Sequence, residues 1–96
     1  MSVWACLSLK VKQGKFEKLL PFLEANVPNV RKFPGALNVS ILHDDETDQF
    51  LVFEEWASRD DHQKYIEFIS QNGVMTQLLA FMEGPPEVKY YAKVPV

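Results

Sequence analysis

The sequence predicts an α+β domain built around an antiparallel sheet, and three patterns carry that reading. Apolar and polar residues alternate near both ends of the chain and twice in its middle, the period of two that strands show. Between these segments apolar residues recur at helical spacing, as on a helix with one buried face. A short polar turn joins the two middle segments, which makes them an antiparallel pair.

Val3 to Val11 sets Val3, Ala5, Leu7, Leu9 and Val11 on one face of a strand and Trp4, Cys6, Ser8 and Lys10 on the other. Phe16, Leu19, Leu20, Leu23, Val27 and Val30 then form a helical stripe. Pro21 and Pro28 fall inside it; each removes a backbone donor and crowds the preceding turn, so kinks are expected. Pro34-Gly35 ends the helix. Leu37 to His43 is a second strand, Asp44 to Asp48 a polar turn, and Phe50 to Trp56 a third strand. Ser58-Arg59-Asp60-Asp61 resembles a capping box, with Asp61 in place of the usual Glu. His62, Tyr65, Ile66 and Ile69 share one face of the helix it opens. Asn72-Gly73 breaks that helix, and Val74, Met75, Leu78, Leu79 and Met82 predict a third. Gly84-Pro85-Pro86 stops it, and Val88 to Val94 reads as the last strand.

The order is β-α-β-β-α-α-β, a ferredoxin-like pattern with a four-stranded antiparallel sheet and its second crossover helix split in two. No linker, repeat or low-complexity tract divides the 96 residues, so residues 1–96 are read as a single domain. The net charge of −3 forms no basic stripe, which argues against nucleic acid. No apolar run approaches the roughly 20 residues of a membrane span. Met1-Ser2-Val3-Trp4 enters a strand pattern without a basic leader, and Cys6 is the one cysteine, so a cytoplasmic setting is expected.

The two faces of the hairpin point to a partner. If opposite residues sum to about 92, with the turn centred near Glu46, one face holds Leu37, Val39, Ile41, Leu51 and Phe53. The other holds Ala36, Asn38, Ser40, Leu42, Phe50, Val52, Glu54 and Trp56. Helices cover only one face, yet neither is polar enough for water. A homodimer covering the bare face is the expected solution. Five buried side chains at roughly 1.5–3 kcal/mol each contribute on the order of 10 kcal/mol before association entropy.

Three stretches resemble the antibiotic biosynthesis monooxygenase family of small dimeric α+β barrels. Phe33-Pro34-Gly35-Ala36-Leu37 is similar to the family's Glu-Pro-Gly-Cys turn into the second strand, with Phe33 and Ala36 departing from it. Glu54-Glu55-Trp56, followed by Ser58, is similar to the family's Glu-x-Trp strand end, with Phe53 where Tyr is common. Gly84 to Tyr91 is similar to the family's route into its final strand. The haem-degrading branch of these barrels needs a first-strand Asn and a second-helix His. This chain has no Asn between Val3 and Val11, and Ile66 stands where that His falls, which argues against haem cleavage.

What the resemblance implies is a cofactor-independent monooxygenase or quinol oxidase acting with O₂ on a small phenolic or polycyclic aromatic substrate. His62 is the expected general base, since a neutral imidazole near Trp56 can accept a phenolic proton. Trp56 and Asn38 are the expected donors to the developing anion, and Tyr65, Ser40 and Glu54 are expected to bind substrate. Each also has a purely structural reading. Trp56 anchors strand to helix, His62 and Tyr65 fill the core, and Asn38 and Ser40 satisfy backbone or dimer seam. Glu54, a carboxylate on a covered strand, needs a pairing partner such as a Lys or Arg of the second subunit. His43 to Asp48 lacks the spacing and glycine of a calcium loop, so no metal is expected. No glycine-rich phosphate loop is present, so no nucleotide cofactor is expected. The alternatives are an isomerase or other proton-transfer enzyme on the same barrel, and a non-catalytic dimeric module that binds a small ligand.

Overall fold

The computed structural model describes residues 2–96. Its elements are β1 (Val3–Lys10), α1 (Phe16–Lys32), β2 (Ala36–His43), β3 (Gln49–Trp56), α2 (Arg59–Gln71), α3 (Val74–Leu79) and β4 (Glu87–Tyr91). The four strands form one sheet in the order β2-β3-β1-β4, with every neighbouring pair antiparallel. This is the expected α+β, ferredoxin-like arrangement. The inward face of β1 carries Ala5, Leu7 and Leu9, all buried beneath the helices. Leu7 and Leu9 join Leu19, Phe50, Val52 and Met82 in one core cluster. Ala5 joins Val30, Val39, Trp56, Tyr65 and Ile69 in a second.

Several boundaries differ from the sequence reading, each for a local reason. β4 ends at Tyr91 because Tyr91 pairs with Trp4, one residue from the start of β1, and the ladder has no further partner. α3 stops at Leu79 because Met82 turns away to bridge Val11, and both side chains are buried. α1 is, as expected, one helix running through Pro21 and Pro28, both on its exposed side, where solvent replaces the missing backbone bonds.

The hairpin register decides which residues meet the helices. Ala36 pairs with Trp56 as expected, but the ladder slips between Ala36 and Asn38, so Asn38 pairs with Glu55 and Val39 with Glu54. Leu37 is the extra residue and is exposed. A one-residue slip turns every later side chain over. Val39 and Ile41 therefore join Phe50, Val52, Glu54 and Trp56 on the helix-covered face. Asn38, Ser40 and Leu42 join Leu51, Phe53 and Glu55 on the bare one. The expected hairpin faces are corrected accordingly. The bare face also carries Trp4, stacked on Phe53 at 5.0 Å, and the half-exposed Tyr91.

The turn from α1 into β2 is fixed by Gly35. Its φ of +92° suits glycine, and a Cβ there would lie 2.6 Å from the Asp61 side chain at the start of α2. The Gly35 carbonyl accepts from the Ala57 N–H at 2.7 Å, tying the end of β3 to the start of β2. Among the described residues no helix is long and apolar enough to cross a membrane.

Candidate functional site

β3 delivers Glu54 and Trp56 to the covered face, two residues apart as the pleat requires. The Ser58 hydroxyl then accepts the Asp61 N–H at 3.1 Å and caps α2. The capping Ser and the short link from Trp56 place His62 in the first turn of α2, directly over the end of β3. Tyr65 follows three residues later on the same face. Trp56 and His62 are completely buried, Glu54 is 3% exposed and Tyr65 8%.

These four side chains touch. Trp56 and Tyr65 stack with centroids 5.4 Å apart, and Trp56 lies 5.5 Å from His62. Phe33 meets both Trp56 and Tyr65 edge-on. The Trp56 indole N–H donates to Glu54 Oε1 at 3.2 Å. His62 Nε2 lies 3.5 Å from the same oxygen, within reach of charge attraction. It makes no hydrogen bond there, although it is buried, because that distance exceeds the ordinary range. The other ring nitrogen, Nδ1, is 2.7 Å from the Tyr90 hydroxyl of β4. The Arg59 guanidinium sits 4.3 Å over the Tyr90 ring.

Beside this group a cavity of ≈ 60 Å³ opens between the three helices and the sheet. Its wall is almost wholly apolar, with Val27, Ile41, Val52, Ile69 and Leu78 among its members, and its polar side chains are Asn26, Glu54 and Tyr65. Asn26 donates to the Phe22 carbonyl at 2.8 Å, which leaves its side-chain oxygen available. Burial, and then the charge of Glu54, push the Tyr65 phenol well above its usual range. Tyr65 is therefore a neutral hydroxyl donor at any physiological pH. A second, shallower cleft of ≈ 340 Å³ lies between α2 and β4, with His62 and Tyr90 in its wall. It shares Leu7, Ile66 and Met75 with the cavity.

The structure thus brings together His62, Trp56, Tyr65 and Glu54, and separates Asn38 and Ser40 from them. Asn38 donates to the Glu55 carboxylate on the opposite face of the sheet. Ser40 is exposed on that face, opposite Phe53. The bulge at Leu37 causes both departures. His62 and Trp56 stand behind the cavity instead of lining it, and the Trp56 N–H is already committed to Glu54. The carboxylate pairing expected across a subunit boundary is made within the chain, by Trp56 and His62. Two residues escaped the sequence reading. Asn26 interrupts the α1 stripe between Leu23 and Val27, a polar residue on an apolar face, and that signal was available. Tyr90 left none, since alternation alone does not say which face of a last strand meets a helix. Among the described residues no group of three or more His, Cys, Asp or Glu side chains could hold a metal ion.

Sheet order and helix placement define a ferredoxin-like α+β domain. The family described as antibiotic biosynthesis monooxygenase matches residues 3–67, and the chain belongs to it. A putative antibiotic biosynthesis monooxygenase from Bordetella bronchiseptica superimposes with a TM-score of 0.85 at 16% identity, over 97% of each chain. A mutant of SnoaB, a cofactor-independent oxygenase from Streptomyces nogalater, gives 0.80 at 12% identity, over 99% of this chain and 95% of that one. The monooxygenase from the gene ActVA-Orf6 of Streptomyces coelicolor, in complex with the ligand nanaomycin D, gives 0.80 at 15% identity, over 99% and 89%. At these identities the likeness is one of fold. No curated protein matches the sequence.

Proposed function

We propose that the protein is a cofactor-independent oxygenase of small phenols, acting as a homodimer with one catalytic cavity in each subunit. The observation that carries this reading is Glu54, a buried carboxylate that opens onto a mostly apolar cavity. Burying a carboxylate is costly, and a fold that needed only packing would place an apolar residue there. Oε1 faces Trp56 and His62, and among the described residues no group donates to Oε2. Glu54 is the proton acceptor in place of His62, because Glu54 is the group that meets the cavity.

In this scheme Glu54 Oε2 takes the phenolic proton and the Tyr65 hydroxyl steadies the resulting oxyanion in a water-poor site. The electron-rich anion reduces O₂ directly. The ring C–H para to the hydroxyl becomes C=O, and the second oxygen atom leaves as water with both displaced hydrogens. All four electrons come from the substrate, so a phenol plus O₂ gives a quinone plus water with no added reductant. The Streptomyces coelicolor monooxygenase is in complex with the ligand nanaomycin D, which supports a small-molecule substrate here. Size argues for the smaller end of that class. A cavity that takes up benzene measures about 150 Å³, against ≈ 60 Å³ here. Entry therefore requires the cavity to widen, and α3, which has no buried residue, forms one of its walls.

The dimer would form through the bare sheet face, where Trp4, Leu42, Leu51, Phe53 and Tyr91 present an apolar surface that helices do not cover. Oxygen uptake with a panel of phenols and hydroquinones tests the activity, with isotope-labelled O₂ to follow the inserted atom. One labelled oxygen per quinone is expected from each phenol and none from a hydroquinone, and Glu54→Gln should lower turnover by roughly 10²–10⁴. Ligand-induced thermal shifts without uptake would favour a binding module. Proton migration without uptake would favour an isomerase.

A further inference from the structure

We propose that Tyr90 is a positioning residue: its hydroxyl, donating to His62 Nδ1, anchors the imidazole whose Nε2–H holds the Glu54 carboxylate toward the cavity. The functional part of this inference rests on Glu54 as proton acceptor; the tautomer does not. His62 is completely buried, so both ring nitrogens must find their partners within the protein. Nδ1 has one at 2.7 Å, the Tyr90 hydroxyl. Nε2 has only Glu54 Oε1 at 3.5 Å.

Two neutral tautomers are open to the ring, and the carboxylate chooses between them. With the proton on Nδ1, the bare lone pair of Nε2 would face a carboxylate oxygen, two acceptors with no hydrogen between them. With the proton on Nε2, that N–H points at Glu54, and Nδ1 becomes the acceptor for the Tyr90 O–H. A tyrosine hydroxyl both donates and accepts, so Tyr90 can serve this arrangement. The Arg59 guanidinium over its ring holds Tyr90 in place and favours electron density on the ring face. Trp56 and His62 then grip Oε1 from two sides, and Oε2 is left to the substrate. Tyr90 stands outside the cavity wall, so it reaches the chemistry only through the imidazole.

Heteronuclear NMR of the imidazole nitrogens, on the full chain at mildly alkaline pH, decides the tautomer. The unmodified protein is expected to show a protonated Nε2 and an unprotonated Nδ1 for His62, with a slowly exchanging Tyr90 hydroxyl proton coupled to Nδ1. In Tyr90→Phe the Nδ1 resonance should lose its hydrogen-bond shift, and the Trp56 indole N–H resonance should shift as the imidazole and Glu54 loosen. On any phenol that the unmodified enzyme oxidises, Tyr90→Phe should lower kcat about tenfold, the worth of one hydrogen bond, with KM little changed. A protonated Nδ1 in the unmodified protein overturns the proposal. So does an unchanged Trp56 resonance in a folded Tyr90→Phe. Should that variant fail to fold, the unmodified protein's tautomer and hydroxyl coupling still decide. If the NMR results hold but no phenol is oxidised, the oxygenase reading falls by itself.

Discussion

Replacing Glu54 with Gln separates a carboxylate kept for chemistry from one kept for stability. Glu54 is 3% exposed, with one N–H donor at 3.2 Å and one imidazole nitrogen at 3.5 Å. Taking an ion out of water costs several kcal/mol even after relaxation. One neutral donor and one long contact return roughly 1.5–3 kcal/mol, the worth of a hydrogen bond to a charged group. The carboxylate is thus under-compensated where it stands. Gln keeps an acceptor for the Trp56 N–H, removes the buried charge and preserves the volume. The expected result is unchanged stability or a gain of about 1–2 kcal/mol, alongside the loss of turnover. Leu in the same place strands the Trp56 and His62 donors at about 1–3 kcal/mol each, which offsets the relief and makes Glu54→Leu less stable than Glu54→Gln. Urea unfolding at fixed protein concentration and neutral pH measures both, provided the m-values agree. The reasoning is refuted if Glu54→Gln costs about 3–5 kcal/mol, the mark of a broken buried ion pair. His62 would then be a charged structural partner.

Two further outcomes follow from the same geometry. Because burial and the Glu54 charge raise Tyr65 above its unfolded value of 10.0, the folded state keeps a proton that the unfolded state releases. This stabilisation is whole below about pH 10 and is lost as pH climbs from there through the folded value, by at most about 1.4 kcal/mol per pH unit. The unmodified protein should lose stability relative to Tyr65→Phe across that window, and parallel curves would contradict the burial argument. Phe53→Lys with Leu42→Lys puts two charges on the bare sheet face, and sedimentation at micromolar concentration should show a folded monomer. A compact monomer for the unmodified chain would remove the dimer. Val39→Lys, on the covered face at 8% exposure, should instead unfold the protein.

The order of elements was legible from the chain because period and punctuation are local properties. Val3 to Val11 alternates whatever surrounds it, Pro34-Gly35 ends a helix by its own stereochemistry, and Ser58 caps α2 with the residue three places on. Trp56, His62 and Tyr65 could be grouped for the same reason, since a single capped turn separates strand end from helix face. Register belongs to two strands at once, and one bulge at Leu37 was enough to carry Asn38 and Ser40 away from Trp56. Pairings between distant segments were equally closed to the sequence. Glu54 facing a cavity, Asn26 across from it and Tyr90 against His62 come from four separate elements. Alternation tells each strand that it has two faces. Only packing decides which of them meets the helices, because that choice depends on the summed burial of the whole sheet and no single segment contains it.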